Sequence, residues 1–201
     1  MWLMVADKLL EALNQSGTPA QFFADDGTIV LVGKVLSTLC DLMQGALQQV
    51  EHWCNRLGLS VNPSKTELML FTHRRKPEVL KPIRFYGIQL QKSAVVKYLG
   101  VYIDELLNWK HHVDKKCSTA TISMAQLRRA TGKTWGSSPR IVLWLYTAII
   151  RPTITYAAIV WWIRGKLKTV QNQWSKVQRL VGYIFIRKRG DIKTDIIIII
   201  I

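Results

Sequence analysis

The sequence predicts an α+β chain, and three observations carry that reading. Stretches near both ends repeat their apolar residues at three- and four-residue steps, the period of a helix with one buried face. Between them lie short β-prone runs separated by Gly, Pro and Asn turns, which suits short antiparallel strands. The chain has 201 residues, 49% of them hydrophobic, enough to bury the core of one or two domains.

The elements follow in order. Trp2, Val5, Ala6, Leu9, Leu10 and Leu13 share a helix face, and Ser16-Gly17-Thr18-Pro19 stops that helix. Apolar runs at 20–23 and 28–32 flank Ala24-Asp25-Asp26-Gly27, so a hairpin with an Asp-Gly turn is expected, its second strand ending at Gly33. Val35, Leu39, Leu42, Met43, Ala46, Leu47, Val50, Trp53, Cys54 and Leu57 mark the clearest helix, with Gly58 at its C-terminal stop. Its other face carries Asp41, Gln44, Gln48, Gln49, Glu51 and Arg56, which predicts packing by one face only. Asn62-Pro63-Ser64-Lys65 reads as a turn, 67–72 as a strand and 73–77 as an exposed basic loop. Runs 83–90 and 95–103 look like paired strands, with Gly87 and Gly100 allowing bends. Residues 108–129 form a basic helix, 132–139 a linker, and Pro139 opens another helix. Residues 166–186 are basic and amphipathic, with Val170, Trp174, Val177, Val181 and Ile184 on one face.

The stretch 141–163 is long and apolar enough to span a bilayer, with Arg151 its single charge. Arg151-Pro152 falls near its middle, where an arginine costs about 2.5–3.5 kcal/mol and a proline removes a backbone donor. Two buried pieces broken at Pro152 are expected instead, and no membrane partner. Three cysteines, Cys40, Cys54 and Cys117, are too scattered for a zinc site or a disulfide framework and read as small buried hydrophobes. Asp7 and Lys8 interrupt the first apolar stretch, so no signal peptide is expected and the location reads as intracellular, nuclear or cytoplasmic. Six consecutive isoleucines, 196–201, specify no packing register and read as translated simple-repeat DNA.

Charge and two carboxylates point toward function. Lys and Arg number 28 against 13 Asp and Glu, a net +15, which suits a polyanion such as nucleic acid through counterion release. The alternatives are an anionic membrane surface or a fragment whose acidic half is missing. Asp25 and Asp26 place hard oxygen ligands side by side in a tight turn, a pairing that favours a nearby cation such as magnesium. Asp-Asp-Gly taken alone is more often an ordinary solvated turn.

The order of blocks decides between these readings. Phe23-Ala24-Asp25-Asp26 resembles the aromatic-x-Asp-Asp box of reverse transcriptases. Residues 58–66, Gly-Leu-Ser-Val-Asn-Pro-Ser-Lys-Thr, are similar to the next block of that family, and Lys97-Tyr98-Leu99-Gly100-Val101 to its primer-grip block. Leu107-Asn108-Trp109-Lys110-His111 and the run from Trp144-Leu145-Tyr146 through Arg151-Pro152 and Tyr156 to Trp161-Trp162 resemble the segments beyond, as in LINE-type elements of arthropods. The likeness covers about residues 1–186.

This resemblance to non-LTR retrotransposon reverse transcriptases implies a partial polymerase palm followed by a helical thumb. Residues 1–104 would be the C-terminal part of the palm with the primer-grip hairpin. Residues 105–190 would be the thumb and a connection-like segment, and 191–201 a low-complexity tail. It implies RNA-directed DNA synthesis with an RNA template, a DNA primer, deoxynucleoside triphosphates and Mg2+. Asp25 and Asp26 would be catalytic metal ligands, and Lys65 would sit near the triphosphate and protonate the leaving pyrophosphate. Tyr98, Leu99 and Gly100 would shape the primer grip, with Phe23 packed at the base of the aspartate hairpin and Gly27 loosening its turn. Lys110, Lys115, Lys116, Arg128 and Arg129 would meet nucleic-acid phosphates, their alternative being a solvated helix face. Trp144, Trp161, Trp162 and Trp174 are candidates for base stacking or for the core.

The family's other catalytic aspartate precedes the paired box on a separate strand, and neither Asp7 nor Glu11 follows a strand. The expectation is therefore a fragment inactive on its own, with no recognisable endonuclease or RNase H segment. The rivals are a non-catalytic nucleic-acid-binding remnant and a membrane-associated basic protein.

Overall fold

The stop signals of the sequence operate as hydrogen-bonded caps. Helix α1 (Trp2–Gln15) ends where Thr18 N–H reaches the Leu13 carbonyl at 3.0 Å and Gly17 N–H the Asn14 carbonyl at 3.0 Å. Gly17 takes φ +74° there, the left-handed conformation that costs glycine least. Helix α2 (Leu36–Arg56) repeats the device, Leu59 N–H bonding the Cys54 carbonyl at 2.9 Å and Gly58, at φ +67°, the Asn55 carbonyl. The computed structural model describes residues 2–72, 74, 79–132 and 135–189. The basic loop at 73–77 (Arg74 apart), the side chains of Val181 and Ile184, and the isoleucine tail lie outside the described residues. Contacts divide the chain into two units, 1–94 and 95–201.

In the first unit, strands β1 (Ala20–Phe23) and β2 (Asp26–Ile29) pair antiparallel, with Phe23 opposite Asp26 and Phe22 opposite Gly27. Ala20, Phe22 and Ile29 pack with Leu9, Leu13, Ala46, Trp53 and Cys54, so the hairpin is anchored on both α1 and α2. The expected second strand, 28–32, thus begins two residues earlier and stops at Ile29, short of Gly33. The turn residues are Ala24 and Asp25, and Ala24 carries the positive φ of +55°. Gly27 does not loosen the turn. It lies in β2 beneath the Phe22 ring, where a Cβ would stand 2.5 Å from a ring carbon.

Helix α2 packs on more than its apolar stripe. Cys40 and Leu47 meet Ile83, Phe85 and Leu90 on a second side. The polar face expected to be solvated is engaged as well. The Gln44 amide bonds the Arg84 backbone twice, Nε2 donating to the carbonyl at 2.9 Å and Oε1 accepting from N–H at 2.8 Å. Glu51 accepts from Tyr86 N–H, and Asp41 pairs with Lys81 at 2.9 Å. Periodicity records side-chain polarity and cannot tell an amide facing water from one facing a strand's backbone.

The short strands also pair differently from expectation. Runs 83–90 and 95–103 do not pair with one another; each closes on itself. Strands β3 (Arg84–Phe85) and β4 (Ile88–Gln89) turn at Tyr86-Gly87, and β5 (Val95–Tyr98) and β6 (Val101–Asp104) at Leu99-Gly100. Both central residues have positive φ in each turn, +48° and +75°, then +45° and +79°, the signature of tight type I′ hairpins. Residues 67–72 form no strand and contribute only a bridge from Leu68 to Lys92.

The second unit is mainly helical. Helix α3 (Lys110–Arg129) buries His112, Val113, Cys117, Ala120 and Met124. Ser138 caps α4 (Pro139–Leu145), its hydroxyl oxygen accepting from Ile141 N–H. The axis then widens into a π turn at Tyr146–Ile150, where Arg151 N–H bonds the Tyr146 carbonyl, before α5 (Arg151–Thr155). The helix therefore runs through Pro152, contrary to the expected break. A widened turn gives the proline ring room it lacks against the carbonyl four residues back in a regular helix. The break falls instead at Tyr156-Ala157, where Ala157 takes φ +54° and the direction changes by 83° into α6 (Ala158–Gly165). Among the described residues no single helix is long and apolar enough to cross a membrane. Helix α7 (Lys168–Arg189) lays Val170 and Val177 into the cores formed with α3, α4 and α6. The mixture of helices and small antiparallel sheets is the α+β class expected from the sequence.

Candidate functional site

In the first unit the alternation of β1 sets the site. Ala20 and Phe22 face the core, so Phe23 points away and is 62% exposed. The expectation that Phe23 packs at the hairpin base is overturned, and its neighbour Phe22 fills that place. Asp25 occupies the turn and Asp26 opens β2, both exposed. Among the described residues neither carboxylate has an ion-pair or side-chain hydrogen-bond partner, Lys65 included. The tip thus presents two carboxylates on an anchored hairpin, unpartnered among the described residues. Among the described residues no group of three metal-ligating side chains occurs. The donor chemistry still fits a hard divalent ion such as Mg2+, which binds through one or two carboxylates together with substrate phosphates and water.

Lys65 ends a 3-10 turn (Pro63–Lys65) and is exposed. Asn62 shapes this turn, its side chain accepting from Ser64 N–H at 2.9 Å and its carbonyl accepting from Lys65 N–H and the Thr66 hydroxyl. The lysine is held at its backbone and free to extend its ammonium.

In the second unit, Tyr98, Leu99 and Gly100 form the tip of the β5–β6 hairpin and are half-buried. Tyr156, at the corner after α5, donates its hydroxyl to the Leu99 carbonyl at 2.7 Å. A Cβ at Gly100 would meet the Tyr156 ring at 3.2 Å, so glycine suits the close approach as well as the φ. Lys116 Nζ lies 4.5 Å over the same ring. The base of the hairpin is fixed by Asp104. One carboxylate oxygen accepts from Leu106 N–H at 3.2 Å and Asn108 N–H at 2.8 Å, the other from Trp109 N–H at 2.7 Å. Leu107 and Trp109, at φ +52° and +58°, are held in left-handed conformations by this clasp.

Among the basic candidates, Lys110, Lys115, Arg128 and Arg129 are exposed on α3, away from its buried stripe. Lys116 is half-buried; burial and then the neighbouring Lys97 push its pKa down. His112 is fully buried, its Nδ1 accepting from Tyr102 N–H at 3.1 Å. Its pKa is lowered, first by burial and then by Lys116, with the Tyr156 backbone acting the other way. Of the tryptophans, Trp161 is core and Trp174 half-buried against it, whereas Trp162 is exposed and stacks on Trp174 at 6.2 Å. Trp144 is exposed. Asp104, His112 and the contacts of Tyr156 are not among the residues the sequence singles out. Asp104 carried a signal, an acid just before a turn; the other two depend on tertiary packing.

Known proteins match this arrangement of blocks. Residues 1–103 match the model of the family described as Reverse transcriptase (RNA-dependent DNA polymerase). The chain is 29% identical over 195 residues to a "Retrovirus-related Pol polyprotein from type-1 retrotransposable element R1" of Bradysia coprophila, covering 97% of this chain and 19% of that protein. It is 27% identical to a "Putative 115 kDa protein in type-1 retrotransposable element R1DM" of Drosophila melanogaster, across 90% of this chain and 17% of the relative. It is also 27% identical to a "Probable RNA-directed DNA polymerase from transposon BS" of the same fly, across 75% and 17%. The chain therefore spans about a fifth of the length of these relatives. No solved structure gave a significant match. Reverse transcriptases as a family work on a nucleic-acid template with nucleotide substrates and divalent metal ions. By the family match across its first half, and by relatives from R1 and other non-LTR elements along nearly all of it, the chain belongs to the reverse transcriptases.

Proposed function

We propose that this chain serves RNA-templated DNA synthesis in a non-LTR retrotransposon, with Asp25 and Asp26 as Mg2+ ligands. The observation that carries the reading is the pair of exposed carboxylates, without partners among the described residues, at the tip of a hairpin locked onto α1 and α2. An anchored, uncompensated pair of this kind favours a cation supplied from outside the chain. A bound divalent ion would help activate the primer 3′-hydroxyl and neutralise the departing pyrophosphate. The chain's own part is to hold the two carboxylates in place on a preformed turn. Lys65, exposed on its fixed turn, is the candidate proton donor to the leaving group.

In this reading residues 1–104 act as palm, with Tyr98, Leu99 and Gly100 gripping an RNA-paired DNA primer, and 105–190 act as thumb. Lys110, Lys115, Lys116, Arg128 and Arg129 meet phosphates, and the reaction is intracellular. Two carboxylates are fewer than a two-metal centre uses, so the chain by itself should polymerise little or not at all. Primer extension with Mg2+ on the purified 201-residue chain tests this. Little extension is expected, together with Mg2+-dependent chemical-shift changes at Asp25 and Asp26 that Asp25→Asn removes. Robust extension abolished by Asp25→Asn would refute the incompleteness. Absence of any Mg2+ response at the hairpin would refute the ligand assignment.

A further inference from the structure

Tyr156 ties three parts of the second unit together. Its carbonyl accepts the indole N–H of buried Trp161 at 2.9 Å, which fixes the corner between α5 and α6. From that corner its hydroxyl reaches the Leu99 carbonyl at 2.7 Å, across 57 residues of chain. Its ring lies against Gly100 and beneath the Lys116 ammonium. The turn it touches is a conformation that needs holding. Leu99 has φ +45°, a region that side chains other than glycine and asparagine seldom adopt. A hydrogen bond to the Leu99 carbonyl fixes the orientation of the Leu99–Gly100 peptide plane, which is what determines the direction in which the turn presents its N–H groups and the flanking Tyr98. Lys116, held over the ring by attraction to its negative face, places a cation beside the same turn. Among the described residues it has no carboxylate partner.

We propose that Tyr156 is a positioning residue for the primer terminus: it sets the Leu99–Gly100 turn in its gripping shape, and through its ring aims Lys116 at the terminal phosphates. This rests on the primer-grip reading of residues 98–100. Tyr156 itself lies outside the blocks to which catalytic or grip roles were assigned, and touches the primer only through the groups it holds.

The test uses the 201-residue chain and two fluorescent RNA/DNA duplexes of equal phosphate count, one with a recessed DNA 3′ end and one blunt, followed by anisotropy across a salt series. The parent chain should prefer the recessed end. Tyr156→Phe keeps the ring and loses the one hydrogen bond, so that preference should fall by about three- to tenfold, with blunt-duplex affinity and salt slope unchanged. Gly100→Ala, strained at φ +79° and set against the ring, should reproduce the selective loss. A parallel loss of both affinities in Tyr156→Phe would mean a structural role alone and overturn the proposal. So would an unchanged preference in Tyr156→Phe while Gly100→Ala abolishes it, and in that case the grip reading stands. A parent chain indifferent to the recessed end overturns the grip reading and this proposal with it.

Discussion

Replacing Asp104 by alanine removes one side chain and releases three backbone donors at once. The carboxylate receives N–H groups from Leu106, Asn108 and Trp109 at 3.2, 2.8 and 2.7 Å. Hydrogen bonds to charged groups are each worth about 1.5–3 kcal/mol when well shielded. Asp104 is only half-buried and water can replace part of the loss, so the sum should come to about 2–3 kcal/mol. Leu107 and Trp109 would also be freed to leave their left-handed conformations, each worth about 1 kcal/mol of strain now compensated by the clasp. Urea denaturation followed by tryptophan fluorescence measures the change, since Trp109, Trp161, Trp162 and Trp174 all lie in this unit. Asp104→Asn should cost roughly half as much, because one amide oxygen still accepts while the amide nitrogen faces a donor. A loss below about 0.5 kcal/mol for the alanine variant would refute the view that this aspartate organises the entry to α3.

Two further outcomes follow from the buried titratable groups of the same unit. The His112 imidazole has its pKa lowered from the ordinary 6.5, first by burial and then by Lys116. A depressed folded-state value means the neutral form is the one the fold favours. Its contribution is fully present above about pH 6.5 and is lost as pH falls through the lower value. The urea midpoint should therefore decline on acidification below that point, and His112→Asn should flatten the decline; an identical slope in the variant would count against the assignment. The Cys117 thiol is pushed up to about 11, by burial and then by Asp114. It should resist iodoacetamide at about pH 8.5 and react only at the rate of unfolding. Equal alkylation rates in native buffer and in urea would contradict its burial.

The helices and the paired-aspartate hairpin were legible in the sequence because each rests on a local signal. α1 and α2 show a helical period and end in Gly at the left-handed position; α3 begins and ends close to where its pattern does, and α4 begins at Pro139 as its pattern does. What could not be read is tertiary in origin. Gln44, Glu51 and Asp41 look like a solvated face until the segment at 81–86 is found bonded to them. Runs 83–90 and 95–103 have the alternation of strands, but alternation does not name a partner, and the Gly-containing turns within each run chose self-closure. Phe22 and Phe23 are indistinguishable by composition; only the register against Gly27 decides which one is buried. The ordered blocks at 23–26, 58–66 and 97–101 made the family legible. Tyr156 is part of a matched segment, yet its bond to Leu99 belongs to the fold alone.

The π turn at Tyr146–Ile150 has a consequence for phasing. Val142, Tyr146, Ile150 and Ile154 all enter one core, at steps of four residues. In a regular helix each such step overshoots a full rotation by about 40°, so the last of them would have drifted about 120° from the first. The wider turn absorbs that overshoot and keeps the stripe straight. The segment therefore counts in fours where ordinary helices count in threes and fours. Deleting a single residue from it, at Ala148 for example, would let the helix close normally with its phase nearly kept, since eleven steps of about 100° come within about 20° of three full turns. Adding an ordinary helical residue would instead rotate everything beyond by roughly 100°, taking Ile154 out of the core and Tyr156 away from Leu99, so helix length here sets whether the hairpin is held.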